Sequence, residues 1–224
     1  MSEAKRLYTA EEYLAFERES KEKHEFVNGH IYRWGEDPYH QGPQAMSGGS
    51  EAHSLIAANV IIALGRGLRP RGCRVYTSDM RVRVGEAGGY TYPDASALCG
   101  PPALADGRRD TLLNPSLVVE VLSASTEAYD RGEKFESYVR VPSLREYLLI
   151  AQDRVHAELR VRDGAQWRLS YYDDVLDAVS LPSLDAVLPL QDVYADVEFS
   201  ERPRFTVVRE TPGYAWAEAR RAPA

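Results

Sequence analysis

Apolar positions along the chain change period several times, and each change marks an element. Thr9-Ala10-Glu11-Glu12 has the form of a capping box with Tyr13, Leu14 and Phe16 behind it, so a helix starts there. It fades into the charged run Glu17–Lys23, which reads as a solvated helix end. His24-Glu25-Phe26-Val27 and His30-Ile31-Tyr32-Arg33 flank Asn28-Gly29. That pair suits a type I′ hairpin turn, because both central residues need positive φ. Leu55, Ile56, Val60, Ala63 and Leu64 recur at helical spacing over Ser50–Leu68, and Pro70 and Gly72 stop the helix. Cys73–Val84 alternates as one long strand, with Met80, Val82 and Val84 on one face and Asp79, Arg81 and Arg83 on the other. Tyr92–Leu98 is expected to form a second strand, and Gly100–Asn114 a loop.

Alternation then gives way to continuous apolar runs. Leu117-Val118-Val119 and Val121-Leu122 predict a strand over Ser116–Leu122 that is buried on both faces. A helix from about Asp130 to Arg140 and a further apolar strand, Glu146–Ala151, follow. Val155–Arg162, Gln166–Tyr172 and Val179–Leu181 read as a meander, with a short helix over Pro189–Tyr194. The expected fold is therefore α/β. Its core runs helix, three strands, helix, strand, preceded by a helix and hairpin and followed by a β meander. One domain over residues 1–199 accommodates all of this, and the tail 200–224 receives no assignment. Gly35–Ser50, with four Gly and two Pro, is long enough for a functional or mobile loop.

Composition narrows the function classes. The 224 residues include 34 acidic and 27 basic side chains, a formal net charge of −7, and 44% apolar residues. Wholesale disorder is excluded by that apolar content, and no run approaches the ~20 apolar residues of a membrane span. The acidity argues against a protein coated for polyanion binding, but it leaves room for a local basic groove and suits a metal site. Cys73 and Cys99 lack any zinc-type spacing and are expected to be free, buried thiols. The N-terminal residues lead into no apolar segment of the secretory kind, so the expected location is cytoplasmic.

Two acids stand out. Glu120 interrupts the apolar strand, and a buried carboxylate needs a cation, a set of donors or a metal. A salt bridge to an arginine on a neighbouring strand is the plain structural alternative. In Tyr92-Pro93-Asp94 the proline implies a strand edge or bulge, and Asp94 alone would read as a turn residue capping free amides. If the two acids lie level on adjacent strands, they form a site for Mg²⁺ or Mn²⁺, hard cations that favour oxygen. His53, one turn into the long helix, is either a satisfied core histidine or a proton shuttle, phosphate contact or carboxylate orienter. Ser123, Ser125 and Thr126 suit a helix cap, with phosphate contact as the alternative. Between Arg66 and Arg83 six arginines face one Asp79. Arg74, Arg81 and Arg83 are the candidate phosphate contacts, against the alternative of ordinary solvent-facing arginines.

Tyr8–Tyr13, His24–Ile31, His53, Tyr92-Pro93-Asp94, Pro115–Ser123, Asp130, Lys134, Tyr138 and Val141–Tyr147, taken in order over about residues 8–195, resemble the Uma family of restriction-endonuclease-like proteins. These fall in the PD-(D/E)-x-K nuclease superfamily. The resemblance implies that Asp94 and Glu120 are the metal carboxylates and Glu25 a third acid, which could otherwise simply pair with a nearby Lys or Arg. The superfamily lysine lies two residues after the glutamate, where this chain has Leu122. Lys134 could reach back from the next helix to replace it, or be an exposed helix lysine. A second departure is Ala124, where the family usually has proline. The expectation is a Mg²⁺- or Mn²⁺-dependent DNA endonuclease working as a homodimer. The alternative is an inactive nuclease-fold module that binds DNA or protein.

Overall fold

A computed structural model describes residues 6–35, 49–85 and 88–199. Helix α1 spans Ala10–Glu19, and the Thr9 side chain accepts from Glu12 N while the Glu12 carboxylate accepts from Thr9 N, so the capping box is formed. Strands β1 (His24–Val27) and β2 (His30–Arg33) pair antiparallel across Asn28 and Gly29, at φ 49° and 82°. The reading of Glu17–Lys23 as a solvated run is corrected at Glu17, which is 8% exposed and committed to buried partners. Helix α2 runs Glu51–Leu68 with Ser50 as its N-cap. Ile56, Val60, Leu64 and Leu68 form its buried stripe, each side chain worth about 1.5–3 kcal/mol of burial.

The two strands expected next are both altered, and for a related reason. Cys73–Val84 divides into β3 (Cys73–Thr77) and β4 (Arg81–Val84), while the strand expected over Tyr92–Leu98 begins only at Ala95 as β6 (Ala95–Cys99) and is preceded by a separate strand, β5 (Gly89–Thr91). The chain changes sheets at each break. β4 and β5 join β1 and β2 in a five-stranded sheet of order β2-β1-β5-β4-β7, where β7 is Thr111–Leu112. β3 and β6 belong to a six-stranded sheet of order β11-β10-β9-β8-β6-β3. Its remaining strands are β8 (Leu117–Leu122), β9 (Glu146–Ala151), β10 (Ala157–Asp163) and β11 (Gln166–Tyr172). Pro93 lies between β5 and β6, and a residue without an N–H suits a point where pairing must stop.

β8 is the centre of the assembly, parallel to β9 and antiparallel to β6. All six of its residues are buried. Leu117, Val119 and Val121 pack with the α2 stripe and with β12 (Ala178–Leu181) and β13 (Ala186–Pro189). Val118 and Leu122 pack instead with Val82, Val84, Leu112 and Tyr138. The helix expected over Asp130–Arg140 is two, α3 (Glu127–Arg131) and α4 (Glu133–Val139), separated at Gly132. A Cβ on Gly132 would stand 3.2 Å from the Ala128 carbonyl oxygen, a tight approach that glycine avoids. The short α5 (Leu190–Val193) forms where expected.

The expectation of free thiols is overturned. Cys73 and Cys99 are opposite one another in the β3–β6 register and are joined by a disulfide. Cys99 is also exposed rather than buried. Spacing in the sequence could not reveal a pairing that depends on strand register. No helix among the described residues is long and apolar enough to cross a membrane. Most of the Gly-rich stretch, residues 36–48, and the tail 200–224 lie outside the described residues.

Candidate active site

The antiparallel register Ala95↔Val119 carries Asp94, just before β6, to the level of Glu120 on β8. Glu120 projects on the Val118 and Leu122 side of the strand and is 3% exposed. Asp94 Oδ2 accepts a 2.7 Å hydrogen bond from Val121 N and faces His53 Nε2 at 3.4 Å. The sheet change at Pro93 thus allows Asp94 to use an amide of the neighbouring strand. His53 stands at the start of α2, where Ser50 Oγ accepts from His53 N and fixes the first turn.

Lys134 comes to the same place from α4. Its Nζ lies 3.0 Å from Glu120 Oε1, 3.3 Å from Asp130 Oδ1 and 3.5 Å from Glu25 Oε1. The lysine is only 5% exposed, which removes the alternative of a solvated helix lysine. Glu25, from β1, accepts from Tyr92 N at 3.1 Å and from Tyr129 OH at 3.4 Å. Tyr138 OH donates to Glu120 Oε1 at 3.3 Å and accepts from Thr91 Oγ1 at 2.7 Å.

The electrostatics follow from crowding. Glu25, Glu120, Asp94 and Asp130 are buried together with one ammonium. Loss of hydration pushes the Glu120 carboxyl well above its ordinary range, Lys134 opposes this, and Asp130, Asp94 and Glu25 add to it. Burial likewise raises Glu25 and Asp130. For Lys134 burial alone would act downward, but Glu120, Glu25 and Asp130 hold the ammonium well above its usual range. Burial also works against the charged form of His53, and the facing Asp94 carboxylate outweighs it, so the imidazole is raised.

Carboxylate oxygen is the donor type that hard divalent cations favour. The oxygens are carboxylates in excess of nearby positive charge, and Asp130 Oδ1 is buried without a hydrogen bond, its neighbour being the Lys134 ammonium. Among the described residues no three Asp, Glu, His or Cys side chains close round a common point as a metal cage does. Glu25, Glu120 and Asp130 are instead all directed to Lys134 Nζ.

The expected phosphate contacts fare differently. Arg81 is corrected: it is 2% exposed, and its guanidinium donates to Thr111 Oγ1 and Tyr92 OH and pairs with Asp110 at 3.1 Å. Tyr92 OH in turn donates to Glu17, whose other oxygen meets His24 Nδ1. Burial disfavours the charge on Asp110, yet Arg18 and Arg81 hold its carboxyl down at about 2. The network therefore anchors Tyr92, two residues before Asp94. Arg74 and Arg83 are exposed but belong to different sheets, and Arg74 donates to the Gly100 carbonyl. Ser123 Oγ accepts from Thr126 N and closes the turn that leads into α3, whose N-cap, Thr126, makes no side-chain capping bond. Asp130, Tyr129 and Tyr138 were not singled out as site residues. The i,i+4 spacing of Asp130 and Lys134 was the signal available in the sequence.

A six-stranded mixed sheet with acids on adjoining strands and a lysine over them defines the restriction-endonuclease-like class. The chain matches, over residues 10–195, the family described as "Uma2: Putative restriction endonuclease", and it belongs to that family. It is similar to two proteins of Synechocystis sp., each described as an uncharacterized protein. It is 35% identical to slr1290 over 192 residues, covering 84% of this chain and 92% of that one. With sll1609 it is 34% identical over 167 residues, covering 74% and 87%.

Proposed function

We propose that the protein is a metal-dependent endonuclease that hydrolyses DNA phosphodiester bonds. The observation that carries this is the convergence of Lys134 on Glu120, at 3.0 Å, from the following helix. Leu122 leaves the usual lysine position apolar, and a long side chain from α4 fills the role in space. Asp94 and Glu120 would hold Mg²⁺ or Mn²⁺. Bound there, the cation would polarise a phosphoryl oxygen and lower the pKa of an attacking water. His53 fixes the orientation of Asp94 through its 3.4 Å contact. Lys134 offsets the negative charge that builds on the phosphoryl oxygens as water attacks. Glu25, tied to Tyr92 N, keeps the ammonium in place. Exposed Arg74 and Arg83 supply salt-dependent contacts to the DNA backbone. Because a duplex has two strands to cut, the reading extends to a homodimer, and light scattering at the mass of one chain would remove that part.

The absence of a preformed three-ligand cage among the described residues favours a second reading, an inactive nuclease-fold module that binds DNA or protein. Calorimetric titration with Mg²⁺ separates the two. Heat in the wild type that disappears in Asp94→Asn supports the nuclease centre. A folded wild type that gives no heat supports the module.

A further inference from the structure

Three carboxylates compete for one ammonium in a place that water scarcely reaches. The shortest contact of Lys134, at 3.0 Å, is with Glu120 Oε1, the acid proposed to hold the cation. An oxygen held by an ammonium cannot give its full charge to a divalent ion. For Oε1 of Glu120 to coordinate with its full charge, Lys134 has to move off it, and the molecule already contains the place to go. Glu25 is fixed by Tyr92 N and Tyr129 OH. Asp130 is the i−4 neighbour of Lys134, across the Gly132 break, and its buried Oδ1 has no hydrogen bond. That oxygen is 3.3 Å from Nζ, so a small shift of the ammonium away from Glu120 would turn a loose contact into a hydrogen-bonded ion pair.

We infer that Lys134 is the standing counter-ion of this acid cluster, and that Asp130 is a positioning acid which takes over the ammonium when a divalent cation occupies Asp94 and Glu120. The inference rests on the cation-centre reading given above. In this arrangement the lysine satisfies the acids before the cation arrives and opposes weak binding. It is then left beside the centre, where a phosphate would need it.

The test is calorimetric titration of the full chain with Mn²⁺ in the wild type, Lys134→Met, Asp130→Asn and the double variant, with circular dichroism confirming each fold. Removing the competing ammonium should tighten Mn²⁺ binding by about tenfold or more, whereas a purely structural lysine would leave it unchanged or weaker. Asp130→Asn should weaken binding about tenfold in the wild type and at most about threefold in the Lys134→Met background. Equal losses in both backgrounds would make Asp130 a direct contributor of charge and overturn the exchange. Should Lys134→Met fail to fold, Lys134→Gln takes its place in the cycle, and unchanged Mn²⁺ affinity in Asp130→Asn overturns the inference on its own. Binding by the wild type that neither substitution alters sinks this inference alone. No Mn²⁺ heat in any folded variant sinks the cation centre with it.

Discussion

Replacing Glu120 by Gln should make the protein more stable at neutral pH while disabling it. Unit charges about 4 Å apart at an effective dielectric of about 20 interact by roughly 4 kcal/mol. Removing the Glu120 charge forfeits one such attraction, to Lys134, and relieves repulsion from Asp130, Asp94 and Glu25. It also removes the cost of keeping a carboxylate dry, and a glutamine oxygen can still accept from Lys134. The pH dependence has a definite sign. Glu120 is raised in the folded state, so the unfolded chain releases its proton first. Its favourable contribution is complete below the ordinary carboxylate value of 4.5 and is lost as pH rises through the folded value. Relief of that repulsion and of the buried carboxylate's desolvation outweighs the one attraction lost, so a gain on the order of 1–2 kcal/mol is expected for Glu120→Gln at pH 7. The gain should shrink toward zero near pH 4. Urea unfolding of both proteins at pH 7, 5.5 and 4 measures this. A loss of about 3 kcal/mol or more at pH 7 would mean that Glu120 is chiefly the structural partner of Lys134, and the crowding argument would be refuted.

Other perturbations test the frame around the site. Arg81→Met leaves Asp110, Tyr92 and Thr111 without their shared donor. A cost of about 3 kcal/mol or more is expected in urea unfolding, and a change below about 1 kcal/mol would show that the network does not anchor the Tyr92 segment. Reducing the Cys73–Cys99 disulfide, which closes a separation of 26 residues, should lower stability by about 3.5 kcal/mol. Denaturation with and without reductant checks it, and identical midpoints would contradict the cross-strand link.

The parts of the fold with local causes were legible in the sequence. Thr9 and Glu12 fix a helix start, Asn28-Gly29 fixes a turn, and the unbroken apolar run around Glu120 places β8 between two packed faces. What was hidden depends on sheet assignment. The alternation of Met80, Val82 and Val84 continues across a point where the chain leaves one sheet for another, so periodicity alone could not break the strand. Arg81 looked solvent-facing because the face opposite Val82 is covered by Tyr92, Thr111 and Asp110, residues that come later in the chain. Cys73 and Cys99 meet only through register. At the site, Glu120 is identifiable as an acid in an apolar strand, and Asp94 only through the Tyr92-Pro93-Asp94 break taken together with Glu120. The closeness of Asp130, Tyr138 and Glu25 required the folds of α3, α4 and the hairpin to be known.

The central claim is best tested by DNA cleavage. Supercoiled plasmid would be incubated with the wild type, Asp94→Asn and Glu120→Gln, each shown to be folded, in Mg²⁺ and in excess chelator. The account predicts nicked and linear DNA from the wild type with Mg²⁺ and none with chelator, and a rate reduced at least about 100-fold in both variants. Cleavage by Glu120→Gln at the wild-type rate, or a folded wild type that leaves the plasmid intact in saturating Mg²⁺, would contradict it.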